Sequence, residues 1–487
     1  MRDSKRFLIT LRKKKNMSKT KRIMSGAILL ALSFSLLGAC QSTSNDKTVI
    51  SIGMWPQSQL TNEVNMFNEW KDRFEKDYPQ YEIKGDNYEY SVETVQAKAE
   101  AHKLPTVFQT WFTEPSMLVS KGYIKDITSQ LTSLGWLSKM DEDMKSTLTF
   151  DGKIYGVPRD GYGLGLFLNT RILGEVGLLE DVDGDGAYDI YHKDGTPAYP
   201  TTFQQIMDYS QEIVNSTADT KGILILSANK NGGWQFANMA WNFGAELEKQ
   251  DTNGKWIGNL DDPKAIQALE WIKEMKANEL LLNSVTVSYS DWSSDVVSKV
   301  AMAFVGSDVI KLAVTTGGMD KKDIAFVPMP KGPTGKQYSL FGGTPFVFSS
   351  DASDKEVEGA LRFLEYMGRS PEVSSPSLTA IKEGNEVAKG KGEPIINTIK
   401  PWIDADYLAK TKAIEDQYIN VKEDNYKDFF NTITQIKKTE VPYYAQEMYK
   451  ILDRVIQSVL EKPDSADCAS LLQTANATFN STYMSKL

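Results

Sequence analysis

Histidine and cysteine are nearly missing from this chain: its 487 residues hold two of each. His102 and His192 lie far apart in sequence, so a multi-histidine metal site is excluded and a histidine-based triad has no support. Cys40 falls at the end of an N-terminal targeting segment, which leaves Cys468 without a partner. No intrachain disulfide is therefore expected, and a large domain can be stable without one because core burial grows with chain size. Long apolar runs are lacking too. The longest, Ile23 to Leu37, is too short to span a bilayer comfortably. Basic excess is confined to the first 39 residues, which take 10 of the 55 Lys and Arg and 1 of the 64 Asp and Glu; the remainder carries 45 against 63, a net charge of −18. Such a surface disfavours nucleic acid and anionic lipid as partners, because both need basic patches, and no nucleic acid partner is expected.

What the first 40 residues do contain is an address. Ten bases precede the apolar run, and Leu37-Gly38-Ala39-Cys40 closes it. A basic stretch, a short apolar stretch and small residues before a cut describe a secretory signal peptide over 1–39. A cysteine directly after the cut resembles the lipobox of bacterial lipoproteins, in which that cysteine, here Cys40, is lipidated. Met17 opens a more typical signal, so translation from Met1 or from Met17 are both compatible with the pattern. Residues 40–47 then read as a lipidated tether, since Gln41 to Lys47 are small and polar.

Strand and helix patterns alternate over the rest. Val49 to Trp55 is β-branched and stopped by Pro56; Leu60, Val64, Phe67 and Phe74 recur at helical spacing; Tyr81 to Lys84 and Thr106 to Thr110 read as further strands. Two extended segments flank Gly161-Tyr162-Gly163. Helices are expected over Thr202 to Asn215, Phe236 to Gly244 and Pro263 to Lys276, with strands at Ile223 to Ser227, Val300 to Val305, Ile324 to Pro328 and Pro345 to Ser349. Lys355 to Met367 is an amphipathic helix, Lys382 to Pro401 a surface excursion, and Val441 to Leu460 and Asp467 to Tyr483 are helical. This alternation argues for an α/β fold with a largely parallel sheet.

Aromatic residues gather beside the expected strand ends: Trp55, Trp111 with Phe112, and Trp234 with Trp241 and Phe243. In open α/β sheets ligands bind at the carboxyl ends of strands. Sugar rings pack their C–H faces on indole and phenyl rings, while their hydroxyls need amide and carboxylate partners; Gln109, Glu114, Asn238 and Asn242 are close enough in sequence to supply these. Asp181-Val182-Asp183-Gly184-Asp185-Gly186-Ala187-Tyr188-Asp189 carries the most specific local chemistry. Carboxylates at positions 1, 3, 5 and 9, a carbonyl from Ala187 at position 7 and glycine at position 6 follow the calcium-loop pattern, so a structural Ca2+ held by Asp181, Asp183, Asp185, Ala187 and Asp189 is expected. Position 12, usually a bidentate Glu, is His192. The triplet Gly161, Gly163, Gly165 does not form a dinucleotide fingerprint, because Leu166 stands where the third glycine belongs.

These pieces together resemble the bacterial extracellular solute-binding proteins of sugar ABC importers, the group typified by maltose-binding protein. The likeness rests on VISIGMW (Val49 to Trp55), YGVPRDGYGLGLFLNTRIL (Tyr155 to Leu173), KVAMAFVGSDVIKLA (Lys299 to Ala313), FVPMPKGPTG (Phe326 to Gly335) and GGTPFVFSS (Gly342 to Ser350), in that order and spacing. The aspartate loop is similar to that of the subgroup binding alginate-type acidic oligosaccharides. Where many members carry a Trp after the Gly of the GSDV segment, this chain has Asp308.

The resemblance implies a two-lobe periplasmic-binding-protein-like fold, with 48–160 and 300–345 in an N-terminal lobe and 161–299 and 346–487 in a C-terminal lobe. It carries over a cleft of Trp55, Gln109, Trp111, Glu114, Arg159, Tyr162, Trp234, Trp292, Phe341 and Gly342. It further implies a monomeric, lipid-anchored protein on the outer face of the cell membrane that captures an oligosaccharide by hinge closure and passes it to permease subunits of an ABC importer. A surface-anchored glycoside hydrolase or polysaccharide lyase is the alternative, since it would share the signal, the acidity and the aromatics.

Overall fold

The structure, a computed structural model, describes residues 47–487 apart from 218 and 297. The signal peptide, Cys40 and nearly all of the tether lie outside the described residues. One sheet of nine strands runs through the molecule. Its strands are β1 (Thr48–Ile52), β2 (Tyr81–Gly85), β3 (Val107–Gln109), β4 (Gly156–Asn169), β5 (Lys221–Leu224), β6 (Val300–Gly306), β7 (Ile324–Pro328), β8 (Ser339–Phe348) and β9 (Lys437–Thr439). The order is β2-β1-β3-β8-β4-β6-β5, with β7 on β4 and β9 on β8.

Two strands do the joining. The first half of β4 pairs antiparallel with β8, and its second half lies between β6 and β7, both antiparallel to it. β8 in turn pairs β3 through Phe346 to Phe348. A chain that pairs at one end with one group of strands and at the other with a second group is the covalent and hydrogen-bonded link between two lobes. The glycines of β4 serve this packing: a Cβ on Gly161 would come within 2.6 Å of the Phe341 ring, one on Gly163 within 2.6 Å of Ile433, and one on Gly165 within 2.5 Å of the Phe326 ring. They make room for neighbouring side chains, which explains a glycine triplet that no phosphate needs.

Helices around the sheet include α1 (Thr61–Asp77), α2 (Asn231–Phe243), α3 (Pro263–Ala277), α4 (Asp354–Tyr366), α5 (Ser375–Gly390), α6 (Asp424–Ile436), α7 (Ala445–Glu461) and α8 (Cys468–Thr482). α4 starts on a complete capping box, Ser353 with Glu356, and buries Val357, Leu361 and Leu364 at its helical spacing. Each such side chain contributes about 1.5–3 kcal/mol by leaving water. α5 occupies the first part of the stretch expected as a surface excursion; only 391–401 is irregular.

The cores divide the chain differently from the lobe boundaries expected above. Ile50, Phe74 and Trp136 share one core with Phe346, Leu361 and Trp402, so 346–407 returns to the N-terminal lobe. Ala301, Met302 and Phe304 pack with Ile223, Phe236 and Leu452, so 300–327 belongs to the C-terminal lobe. The physical reason is pairing: β6 runs parallel to β5 and antiparallel to the far half of β4, while β8 carries the chain back beside β3. Among the described residues no helix is long and apolar enough to cross a membrane. Cys468 is buried and free.

Candidate functional site

Three cavities open along the joining strands, and two of them meet at Asp308. The first, about 400 Å3, is aromatic and takes walls from both lobes: Trp111 after β3, Tyr162 on β4, Trp234 on α2, and Tyr289, Asp308 and Glu440 from the C-terminal lobe. Trp111 is 37% exposed, a large apolar ring facing solvent space, and its edge meets Tyr90 at 5.4 Å between centroids. Tyr162 and Trp234 meet edge to face at 6.1 Å. Gly342 belongs to this arrangement indirectly: a Cβ there would lie 2.5 Å from the Tyr162 ring, so only glycine leaves Tyr162 where it stands.

Two carboxyl groups share this cavity. Burial pushes Glu440 up to about 7, although the hydroxyl of Tyr449 donates to it at 2.9 Å and the Trp234 indole also donates. The surrounding protein pushes Asp308 up to about 6, and the nearby Asp160 carboxylate adds to the shift. Sugar hydroxyls donate as well as accept hydrogen bonds, and carboxyl oxygens at this place can receive them.

The second and third cavities, about 360 and 670 Å3, share Arg159, Lys311, Arg369, Asn385, Lys400 and Tyr407. The larger is also lined by Trp55, Trp70 and Gln109, and Trp55 packs edge to face on Phe67 at 5.2 Å. Arg159 donates to Gln109 at 2.8 Å and to Asp160 at 2.6 Å, while Lys400 pairs with Glu415.

Of the sequence-derived cleft residues, Trp111, Tyr162 and Trp234 come together in the aromatic cavity, and Trp55, Gln109 and Arg159 in the large one. Glu114 is buried and already accepts from Tyr90 at 2.6 Å and Thr113 at 3.1 Å, which makes it a wall support. Trp292 is 0% exposed and packs edge to face on Phe167 at 5.4 Å. Phe341 is buried with Met144 and Leu148. Neither ring has a face to offer a ligand. Glu440, Tyr289, Lys311, Arg369 and Lys400 are cavity residues that sequence reasoning did not single out. Isolated polar residues carry no periodic signal, although Gly368, at φ +67, marks the turn that swings Arg369 off the end of α4.

The aspartate loop folds as a tight set of Asx turns. Gly184 and Gly186 donate to the two oxygens of Asp181 at 2.7 and 3.0 Å, and Val182 donates to Asp189 at 2.7 Å. Oxygens of Asp181, Asp183 and Asp189 lie within 4.8 Å of one another, a set that could coordinate a cation. A cationic group already stands there: the Lys422 ammonium donates to Asp183 at 2.9 Å, Asp185 at 3.0 Å and Asp189 at 2.6 Å. Burial alone would lower the Lys422 pKa, but the hydrogen bonds to these aspartates outweigh it and hold the amine above its usual range. The donor set therefore fits a hard cation, with the ammonium as its stand-in.

No curated protein is matched by the sequence at a significant level. Solved structures with the same fold are many. They include an ABC substrate-binding protein of Listeria monocytogenes in complex with cycloalternan, at TM-score 0.64 and 15% identity over 90% of this chain and 99% of that one. The GacH receptor of Streptomyces glaucescens, solved unliganded and with acarbose, aligns at TM-score 0.65 and 17% identity over 90% and 99%. UgpB from Mycobacterium tuberculosis with glycerophosphocholine aligns at 0.63 and 13% over 88% and 96%. At these identities the likeness is one of fold, the two-lobe α/β fold of periplasmic-binding-protein type. The family model of the bacterial extracellular solute-binding proteins matches residues 69–381, well over half of the sequence, and the chain belongs to that family.

Proposed function

We propose that this protein captures an oligosaccharide between its lobes and hands it to the permease subunits of an ABC importer. The observation that carries the reading is the aromatic cavity, in which Trp111 of one lobe faces Trp234, Tyr289 and Glu440 of the other across Tyr162 on a joining strand. Flat apolar rings beside carboxyl groups suit a ring that is apolar on its faces and hydroxylated at its rim. Structural relatives solved with cycloalternan and acarbose support a sugar ligand. Binding without chemistry is the function of this family. The cleft is made of Trp55, Gln109, Trp111, Arg159, Tyr162 and Trp234, with Glu114 and Gly342 acting behind it.

The N-terminal pattern ending at Cys40 supports attachment by lipid to the outer face of the cell membrane, where a tether keeps a monomeric receptor at high local concentration beside its permease. For the aspartate loop, calcium as a structural ion is supported by the oxygen set and by the place Lys422 has taken. Calcium enters this loop by displacing that ammonium. A subgroup of calcium-loop proteins taking alginate-type oligosaccharides is supported by the same loop.

Calorimetric titration of the Trp234→Ala and Trp111→Ala variants with a sugar that binds the parent tests the cleft. Loss of a stacking ring weakens binding by about tenfold or more, the equivalent of ~1.4 kcal/mol. Affinities equal to that of the parent in both variants would remove the aromatic cavity from the site.

A further inference from the structure

The aromatic cavity owes much of its wall to one short turn. Asn229, Lys230, Asn231 and Trp234 all line it, and they stand where the chain leaves the strand end after β5 and enters α2. Asn229 and Lys230 are both left-handed, at φ 57° and 71°. Asparagine visits that region readily, but lysine does so at a cost, and such conformations persist only where the surroundings hold them. Lys230, the residue that precedes α2, gives the helix start no side-chain cap. The turn must be held from elsewhere.

The support comes from α7. Asp453, 6% exposed, accepts from the Lys230 amide at 2.6 Å with Oδ2 and from the Gly233 amide at 2.8 Å with Oδ1. One carboxylate thus spans the left-handed residue and the first turn of α2; it satisfies amides that the helix leaves unpaired, and its charge suits the positive end of the helix. One turn further along α7, Gln457 donates to the Ser227 carbonyl at 2.6 Å. Glycines permit the close approach: a Cβ on Gly233 would lie 2.2 Å from the Tyr449 carbonyl oxygen, and one on Gly232 2.9 Å from Asp453 Oδ1. Gln446, Tyr449, Asp453 and Gln457 recur at helical spacing and share one face of α7. Gln446 and Tyr449 line the cavity. Asp453 lies behind its wall, on the backbone of the turn.

We infer that Asp453 is a positioning residue for ligand capture: by clamping the turn at Asn229 and Lys230 it sets the angle at which Trp234 meets a sugar ring and aims Lys230 across the cleft. The role rests on the sugar reading of the aromatic cavity. Both consequences show in the geometry. Trp234 meets Tyr162 edge to face at 6.1 Å, and the Lys230 ammonium reaches Glu93 of the other lobe at 3.3 Å. A buried acid behind the wall therefore governs a stacking ring and a contact between the lobes at once. Without it the left-handed pair relaxes, the first turn of α2 shifts, and the ring no longer stands square to the cavity.

The test is calorimetric titration of the purified protein with whichever trisaccharide, from a panel of neutral and uronate trimers, binds the parent most tightly. Asp453→Asn keeps the shape and one acceptor, and Asp453→Ala removes both. Asp467→Ala removes the cap of α8, where Asp467 accepts from the Ser470 amide at 3.0 Å, and so supplies a loss of stability elsewhere in the same lobe. Thermal melts follow folding in each variant; should Asp453→Ala fail to fold, Asp453→Asn carries the test alone. Asp453→Asn is expected to weaken binding about fivefold or more, and Asp453→Ala further, while Asp467→Ala lowers the melt and leaves affinity within about twofold of the parent. In a Trp234→Ala background Asp453→Asn costs only about twofold or less, because the ring it positions is gone. Three results would each overturn the role and leave the sugar reading standing: an Asp453→Asn protein that binds like the parent, an equal loss of affinity from Asp467→Ala, or a loss from Asp453→Asn that is undiminished without Trp234. If no sugar of the panel binds the parent, both are overturned.

Discussion

At the scale of single residues, Lys422 is the most informative. One ammonium is shared by Asp183, Asp185 and Asp189, with Asp181 beside them. Four carboxylates against one amine leave the loop underneutralised, and a partly exposed ion pair of this kind contributes on the order of 1 kcal/mol or less. Removing the amine while keeping the length of its stem, Lys422→Met, lowers the melting temperature in chelator, and millimolar calcium restores it. In the parent the calcium shift is smaller, since calcium must first displace the amine. A Lys422→Met protein whose melt is indifferent to calcium would contradict the cation reading of the loop. The same scale shows where the sequence was and was not legible. The loop was readable because its four aspartates fall within nine residues of one another. Lys422 was not, because more than two hundred residues separate it from them. Trp234 and Trp292 look alike in sequence, each beside small polar residues; only the depth at which each packs separates a cavity ring from a core ring.

At the scale of elements, the joining strands decide the geometry of the site. β4 and β8 pair from Phe341 opposite Gly163 to Val347 opposite Gly156, and Gly342 stands opposite Tyr162. A methyl group on Gly342 would have to move that ring, so Gly342→Ala is expected to lower sugar affinity severalfold while costing about 1–3 kcal/mol of stability through overpacking. Titration and a denaturant melt read the two effects separately; unchanged affinity would mean that Tyr162 does not touch the ligand. Elements of this kind were largely legible. β1, α1 and α4 follow from β-branched runs and helical spacing, and the glycine-flanked Tyr162 marked a crossing. The pairing of these elements was not legible, which is why 300–327 and 346–407 sit in the lobes opposite to those expected. Strand order is a long-range choice, and β6 and β8 each present apolar faces that would suit either lobe. α5 was also missed, since its Lys, Gly and Glu mimic a loop while its capping Ser374 and the buried Ala380 anchor a helix.

At the scale of the molecule, the two lobes touch through polar contacts as well as through the joining strands. Lys230 reaches Glu93 at 3.3 Å, Gln446 donates to Thr113 at 3.2 Å, and Lys437 pairs with Asp143 at 2.7 Å. Such partly exposed polar contacts are individually weak, which lets a bound ligand set the balance between open and closed lobes. The net charge of −18 beyond the signal acts only weakly on a ligand at the cleft, because screening confines that field to about 10 Å or less at physiological salt. The central claim is capture without conversion. Its most direct measurement is a calorimetric titration of the protein with the oligosaccharide it binds best, followed by chromatography of the sugar recovered from the cell. The account predicts saturable one-to-one binding and a sugar recovered intact after prolonged incubation. Shortened or unsaturated fragments of the sugar would contradict it and assign the cleft to a hydrolase or lyase.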